Sequence, residues 1–595
     1  MKASFISTLR LFKKHIARLI TIIAIVIVSI GFMSGVGEVQ PTIKKTINKH
    51  YKTYNVSDLY LKSKKPTGFS TEEIANIETM FGSENIIKTF CYEVEDDGKI
   101  TRIYNYNLTA QKINKLEILE GRLPENANEV LVERATDLYE GAKVGDVISV
   151  KNPVGGTISC TVTGIVQNPL LMHRAEETSF INQDKNVSQV IYVSTDLPLI
   201  VNDVYVVFEN RTLFDSFSDR YEERVEQAKQ LVVTKLGDDN VSALSLFENF
   251  GLYSLNSYAE KIGMISIIFV VFFLLITLLV VYSTMSRLLD EERNQIACQK
   301  TLGYSSSKIT GKYTFFVFVA TLGGGLLAFG VGQLLTKMIY GAMCAHYDMP
   351  DYASSLNFGY YLFTFGIIML ATCLLTFATG MKIADKKPVT LLLPKTAKVG
   401  KKVLMERIPV LWNRLSFRYK STFRNVFLFK SRFFMTVVSI IGSSVLLLAG
   451  MGLFDCAVGY KDAVSIVAIA MVIIVFSAAL SALVIYNITN INVSERNREI
   501  ATLMVLGYHE KEVTGYIFRE VYIMAFIGAL LGLPLGYVFL DFVFELINFG
   551  SIAQMNWWTW VLNPIITMFF TFLATLLLKN KIVKIDMNAS LKSIE

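Results

Sequence analysis

Two short stretches carry the residues best suited to chemistry, and the chemistry they suit is ionic docking. Glu291, Glu292, Arg293, Asn294 and Gln295 lead into Ile296-Ala297 and on to Leu302-Gly303-Tyr304. Glu495, Arg496, Asn497, Arg498 and Glu499 lead into Ile500-Ala501 and on to Leu506-Gly507-Tyr508. The two copies keep a constant offset of 204 residues (500 − 296 and 507 − 303). Glu292, Arg293, Arg496 and Glu499 offer charges for salt bridges with a partner. Gly303 and Gly507 permit a sharp reversal at a helix end, because glycine tolerates positive φ. Tyr304 and Tyr508 carry the amphipathic rings favoured at a membrane interface. A single copy would read as a polar loop with a capping glycine. Two matched copies read as coupling segments, at 286–312 and 487–515.

Residue sets for other chemistry are missing. The nearest approach to a phosphate-binding loop, 303–313, ends Thr310-Gly311-Lys312-Tyr313. It has Ser306 where the first glycine is needed and Tyr313 where Ser or Thr is needed. No His-Glu-x-x-His or Gly-x-Ser-x-Gly occurs. The five histidines are scattered and no Cys-x-x-Cys is present, so no metal site is expected. Cys91 and Cys160 either form one disulfide or stand as two small buried residues, since spacing does not fix their separation. The expectation is therefore no catalytic residue, no metal and no directly bound cofactor.

The elements that position the two segments are membrane helices. Of 595 residues, 52% are hydrophobic, and the mean hydropathy is +0.41, too apolar for a soluble chain of this length. Eight runs are long enough to span a bilayer: 16–36, 262–282, 313–335, 358–379, 433–454, 463–485, 517–538 and 558–578. Backbone groups in lipid must bond internally, so these runs are helices. The first lacks a small-x-small cleavage site and reads as a retained anchor. The stretch 381–432 carries 14 Lys/Arg against Asp385 and Glu406, while 341–357 and 541–560 carry none. That asymmetry places both termini, and the tail 579–595, in the cytoplasm. The net charge of +7 follows from this topology and does not point to nucleic acid. The span interiors hold almost no charge, against an ion-coupled carrier. Lys337, Asp541 and Glu545 fall near outer ends, where they can snorkel.

Residues 40–258 read as a folded α/β domain outside the membrane. Strands are expected at 56–61, 130–133, 147–150, 158–166, 190–193 and 204–208, and helices at 71–81 and 219–236. Asp96-Asp97-Gly98 reads as a hairpin turn and Gly155-Gly156 as a second. The remainder is a repeat. Leu11-Phe12-Lys13 precedes the first span and Leu428-Phe429-Lys430 the fifth. Each half is one span, an excursion, then three spans. The excursion holds the domain in the first half and only the link 455–462 in the second. Residues 1–15 and 412–430 read as amphipathic helices on the inner leaflet, with Phe5, Leu9 and Phe12 on one helical face. Gly323, Gly324, Gly325, Gly330 and Gly332 suit close helix approach. Pro534 suits a kink in the seventh span, and Trp557, Trp558 and Trp560 an outer aromatic belt. The fold class is an α-helical polytopic membrane protein, eight transmembrane helices in two four-helix repeats, with one extracytoplasmic α/β domain.

In this order the features resemble the FtsX-like permease family, which includes the MacB-type ABC transporters. The resemblance rests on the amphipathic lead-in, the domain directly after the first span, and the repeated charged element. It rests also on the series Glu120-Gly121-Arg122-Leu123-Pro124, Asn128-Glu129-Val130, Val144-Gly145-Asp146 and Val162-Thr163-Gly164-Ile165-Val166. It implies two permease units fused in one chain and a cytoplasmic ABC ATPase dimer that binds ATP and Mg in place of this chain. It also implies mechanotransmission to a domain that handles a peptide, antibiotic, lipid or lipoprotein. FtsX itself resembles a signalling device, so an extracellular cell-wall hydrolase or a sensor partner of the 40–258 domain is the alternative. The topology makes a direct prediction. A cysteine near Asp146 should react with an impermeant reagent in intact cells and one near Lys398 should not; labelling at Lys398 would reverse the orientation.

Overall fold

The computed structural model describes residues 2–583, apart from 106, 109–110, 152–155, 175, 195–199, 212–214, 351, 353–357, 393–405, 407–411, 413–415, 429 and 461–463. Most of the basic stretch with Lys398, the turn at Gly155, part of the link 455–462 and the tail from 584 lie outside the described residues. The chain opens with α1 (Lys2–Lys14), α2 (Ile16–Gly37) and α3 (Val39–Tyr54). Then come β1 (Leu59–Ser63), α4 (Thr71–Phe81), β2 (Ile86–Asp96), β3 (Lys99–Asn105), β4 (Glu117–Gly121) and β5 (Glu129–Glu133). Next are β6 (Val147–Lys151), β7 (Thr157–Gln167), β8 (Val187–Val193), β9 (Asp203–Val206), α5 (Asp219–Leu236) and β10 (Val241–Ser245). The first half closes with α6 (Phe250–Glu291), α7 (Arg293–Thr301), α8 (Ser306–Met343), α9 (Phe358–Ala384) and α10 (Pro388–Leu392). The second half comprises α11 (Phe417–Leu428), α12 (Lys430–Val458), α13 (Val464–Glu495), α14 (Asn497–Val505), α15 (Glu510–Ile547) and α16 (Trp557–Val583).

Among the described residues, eight helices are long and apolar enough to cross a membrane, matching the eight expected runs. They extend beyond the hydrocarbon lengths read from sequence; α6, for example, has 42 residues. The chain divides into a helical unit (Met1–Glu38, Ile262–Ile339 and Leu356–Glu595) and an α/β unit (Val39–Lys261 and Tyr340–Ser355).

Within the helical unit, glycine sets the spacing of each half. A side chain at Gly324 would lie 2.7 Å from Val26 of α2, and one at Gly528 would lie 2.8 Å from Ile440 of α12. Gly332 meets Ser34, and Gly536 meets Leu448. Both pairs keep the 204-residue offset (528 − 324 and 536 − 332). Without Cβ the backbones approach closely, which stabilises helix association in lipid through packing alone. Gly325 is likewise pressed against Phe365. Gly323 and Gly330, however, face no atom within 4 Å, so only part of the glycine cluster serves packing. Pro534 lies inside α15, which continues from Glu510 to Ile547. Lys337, Asp541, Glu545, Trp557 and Trp558 are exposed, and Trp560 is half-exposed.

The two halves exchange contacts in reciprocal fashion. Phe32 of α2 meets Phe476 of α13 at 5.8 Å, while Gly442 of α12 approaches Ile276 of α6. Between α6 and α13, Arg287 donates to Asn492 (3.1 Å) and Asn487 to Thr284 (2.8 Å), all buried.

The α/β unit is built on one sheet, in the order β10-β1-β9-β2-β3-β8-β5-β7-β4, with β6 also on β7. Helices α4 and α5 have the expected bounds. Ser70 caps α4 through a capping box with Glu73. Asp97 and Gly98, at φ 49 and 77, form the two-residue turn between β2 and β3, where both central residues need positive φ. β4 and β10 were not expected from sequence. β5 and β8 alternate residues between two apolar clusters. Leu131, Val190 and Tyr192 point to one face, and Val130, Val132 and Ile191 to the other. Both faces of this part of the sheet are therefore covered, as period-two geometry requires. Cys91 belongs to the first cluster and Cys160 to the second. Both are buried and unbonded, because they pack on opposite faces of the sheet. The segment Tyr340–Ser355, which overlaps the stretch 341–357 noted above for its lack of Lys and Arg, belongs to this unit. Asp348 pairs with Arg134 and Arg174, and its N–H donates to the Met172 carbonyl at 2.7 Å.

Glu133, at the end of β5, is 1% exposed. It accepts from the Tyr192 hydroxyl at 2.6 Å and from the Asn168 N–H at 3.0 Å. Burial pushes its carboxyl up to about 8, against the pull of those two bonds. The native state thus keeps a proton that the unfolded chain releases near the ordinary 4.5. Its stabilising contribution is full below that value and is lost as pH rises through about 8. Thermal midpoints of the full-length protein should fall across this window, and Glu133→Gln should flatten that slope. An unchanged slope in the variant would contradict the assignment.

Candidate functional site

The two predicted coupling segments fold alike. α6 ends at Glu291 and α13 at Glu495. One residue then leaves the helix, Glu292 (φ −84, ψ 6) or Arg496 (φ −106, ψ 9). A helix of 9 residues follows in each half, α7 and α14. Each closes in the same way. Gly303 and Gly507 have φ 87 and 92. The N–H of Gly303 donates to Lys300 and that of Tyr304 to Gln299, both at 3.1 Å. Gly507 donates to Met504 and Tyr508 to Leu503, again at 3.1 Å. These are the paired bonds of a Schellman end, which needs a residue at positive φ. No atom lies within 4 Å of the position a Cβ would take at either glycine, so backbone conformation alone demands glycine there.

The inward face of each short helix is Ile296-Ala297 or Ile500-Ala501, all fully buried. Ile500 packs with Val493, Val513, Ile517 and Leu578. The outward end is apolar. Leu302 is 77% and Leu506 70% exposed, beside exposed Tyr304 and Tyr508. Each half therefore presents a Leu-Gly-Tyr knob at the turn.

The charges divide between two roles. Glu292 and Arg496, expected to face a partner, are 1% and 3% exposed and are committed within the chain. Glu292 accepts from Lys14 Nζ (2.7 Å) and His15 Nε2 (3.0 Å). Burial raises its carboxyl, but those hydrogen bonds and the Lys14 charge outweigh burial and leave it lowered to about 2. Arg496 pairs with Glu520 of α15 at 2.6 Å. Glu499 is exposed and lies 3.8 Å from Arg496. Arg293 is half-buried. The side chains of Glu495, Asn497 and Arg498 lie outside the described residues. Four residues that matter here were not singled out from sequence: Lys14, His15 and Arg18, and Glu520 inside an expected span. The one available signal was a lone carboxylate in an apolar run, which calls for a partner.

Eight candidate spans among the described residues, a repeated helix–kink–helix element and an α/β domain define a polytopic helical membrane protein with two units in tandem. The comparison with protein families agrees. The profile of the FtsX-like permease C-terminal domain matches residues 267–388 and again 471–587, each match enclosing one of the two kinked segments. Both halves of the chain thus carry a segment similar to the FtsX-like permease C-terminal domain, consistent with two permease units fused in one chain. No curated protein matches the sequence.

Removing one member of a buried ion pair strands the other charge, which typically costs about 3–5 kcal/mol, whereas replacing both by apolar groups is near neutral. Arg496→Met should therefore lower the thermal midpoint, and Arg496→Met with Glu520→Met should recover most of it. No recovery in the double variant would mean that Arg496 acts through other contacts.

Proposed function

We propose that this chain is the membrane subunit of an ABC transporter, seated on two cytoplasmic ATPase subunits through the knobs at Leu302/Tyr304 and Leu506/Tyr508. The observation that carries this reading is the duplication of geometry. Two segments 204 residues apart share a buried kink, a nine-residue helix, a Schellman end and an exposed apolar tip. A merely structural loop has no need of a matched copy with its leucine exposed to this degree. A closing ATPase pair would press on both tips at once. The buried charges at the kinks would then make each short helix a firm lever on α6 or α13.

ATP and Mg would be held by the partner, since this sequence has no nucleotide-binding loop. The work would be delivered to the α/β domain on the far side, in the manner of MacB-type mechanotransmission. The cargo class is a peptide, antibiotic, lipid or lipoprotein taken up at that face. Arg293 and Glu499 remain the charges placed to tune register at the seat, while the apolar tips would supply most of the contact.

The test is copurification of the cognate ATPase. Leu302→Ala with Tyr304→Ala, or Leu506→Ala with Tyr508→Ala, should reduce recruitment strongly while leaving the permease folded. Gly303→Val or Gly507→Val should misdirect the same tips, because a β-branched residue resists positive φ. Recruitment at the wild-type level in the variant altered in both halves would refute the docking role.

A further inference from the structure

Position 292 in the first half corresponds to position 496 in the second (496 − 292 = 204). Both residues occupy the kink and both are buried, yet one is an acid and the other a base. Their partners come from different places. Arg496 is closed by Glu520, which lies in α15, the next helix of its own repeat. The residue equivalent to Glu520 is Phe316 (520 − 204), which cannot serve a buried charge.

In the first half that role passes to the N-terminal helix. Lys14 and His15 bind Glu292, and Arg18 pairs with the adjacent Glu291. Phe12 packs on Phe316 itself at 5.0 Å between ring centroids. Lys312 of α8 donates to Ser7 of α1 at 3.0 Å. The substitution is complete: the sign of the kink residue, the loss of the internal counter-charge and the arrival of α1 all agree.

We infer that α1, with His15 and Arg18 at the start of the first span, is the positioning element of the first coupling segment, whereas the second segment is positioned by Glu520 of the helix that follows it. Lys14, His15 and Arg18 act through Glu292 and Glu291, so they are positioning residues and not contacts for a partner. Together with the coupling reading, on which this consequence alone rests, the two ATPase seats become unequal. The first can be shifted by whatever moves α1 and the second cannot.

Backbone hydrogen exchange on the full-length protein in lipid nanodiscs, with no ATPase present, tests the geometry directly. Lys14 is more than half exposed, so Lys14→Gln should fold normally. It should speed amide exchange in 293–304 several-fold and leave 497–508 unchanged. Glu520→Gln should do the reverse. Exchanging the pair, with Lys14→Glu and Glu292→Lys together, should restore slow exchange in 293–304, which a general loss of structure would not permit. Glu292→Gln, which keeps hydrogen-bonding capacity, is a milder perturbation of the first segment and should likewise speed exchange in 293–304 while leaving 497–508 unchanged. Unchanged exchange in 293–304 after Lys14→Gln, or equal acceleration in both segments, would overturn the assignment. Because no ATPase is used, such a failure leaves the docking proposal standing, and a failure of ATPase recruitment leaves this result standing.

Discussion

A charge that must be buried where a long apolar helix ends has to be met by an opposite charge, and both kinked segments are organised around that requirement. Glu292 and Arg496 sit at the kinks, shielded from solvent. An unpaired charge there would cost several kcal/mol, enough to straighten or unravel the junction. Pairing fixes where the short helix starts, and the Schellman turn at Gly303 or Gly507 fixes where it stops. Between these two ends, Ile296-Ala297 and Ile500-Ala501 anchor one face. What remains free is the Leu-Gly-Tyr tip, whose exposure follows from the other constraints.

The membrane part was legible in the sequence because its rule is simple. A run of about 20 apolar residues must span, and a spanning segment must be helical. The turn glycines were legible for the same kind of reason, since Leu-Gly-Tyr after a periodic run calls for a positive φ. The destination of the kink charges was not. Glu and Arg at the mouth of a span look like solvated groups, and only the fold brings Lys14 across 278 residues to Glu292. The difference in sign between positions 292 and 496 was visible, but the kink that buries them was not.

The α/β domain shows the same division. Helices α4 and α5 announce themselves by capping and periodicity, and the turn at Asp97-Gly98 by composition. β4 is mostly exposed and carries Glu117 and Glu120, so it lacks the alternation that marks a strand. It exists because β7 is long enough to take β6 and β4 along one edge. The membership of Tyr340–Ser355 in this unit had no local signal either, since it depends on Asp348 meeting two arginines from a distant part of the chain.

The contacts between α6 and α13 bear on how such a molecule is assembled. Arg287 is matched by Asn492, and Asn487 by Thr284. The repeat equivalents are Ile491 for Arg287, Leu288 for Asn492, Ser283 for Asn487 and Ile488 for Thr284. Two first halves brought together would set Arg287 against leucine, and two second halves would leave Asn487 and Asn492 facing isoleucines. The polar groups of the seam are thus matched between unlike halves and mismatched between like ones. Two like halves would lose both of these bonds and leave buried polar groups against apolar side chains, a cost that unlike halves avoid.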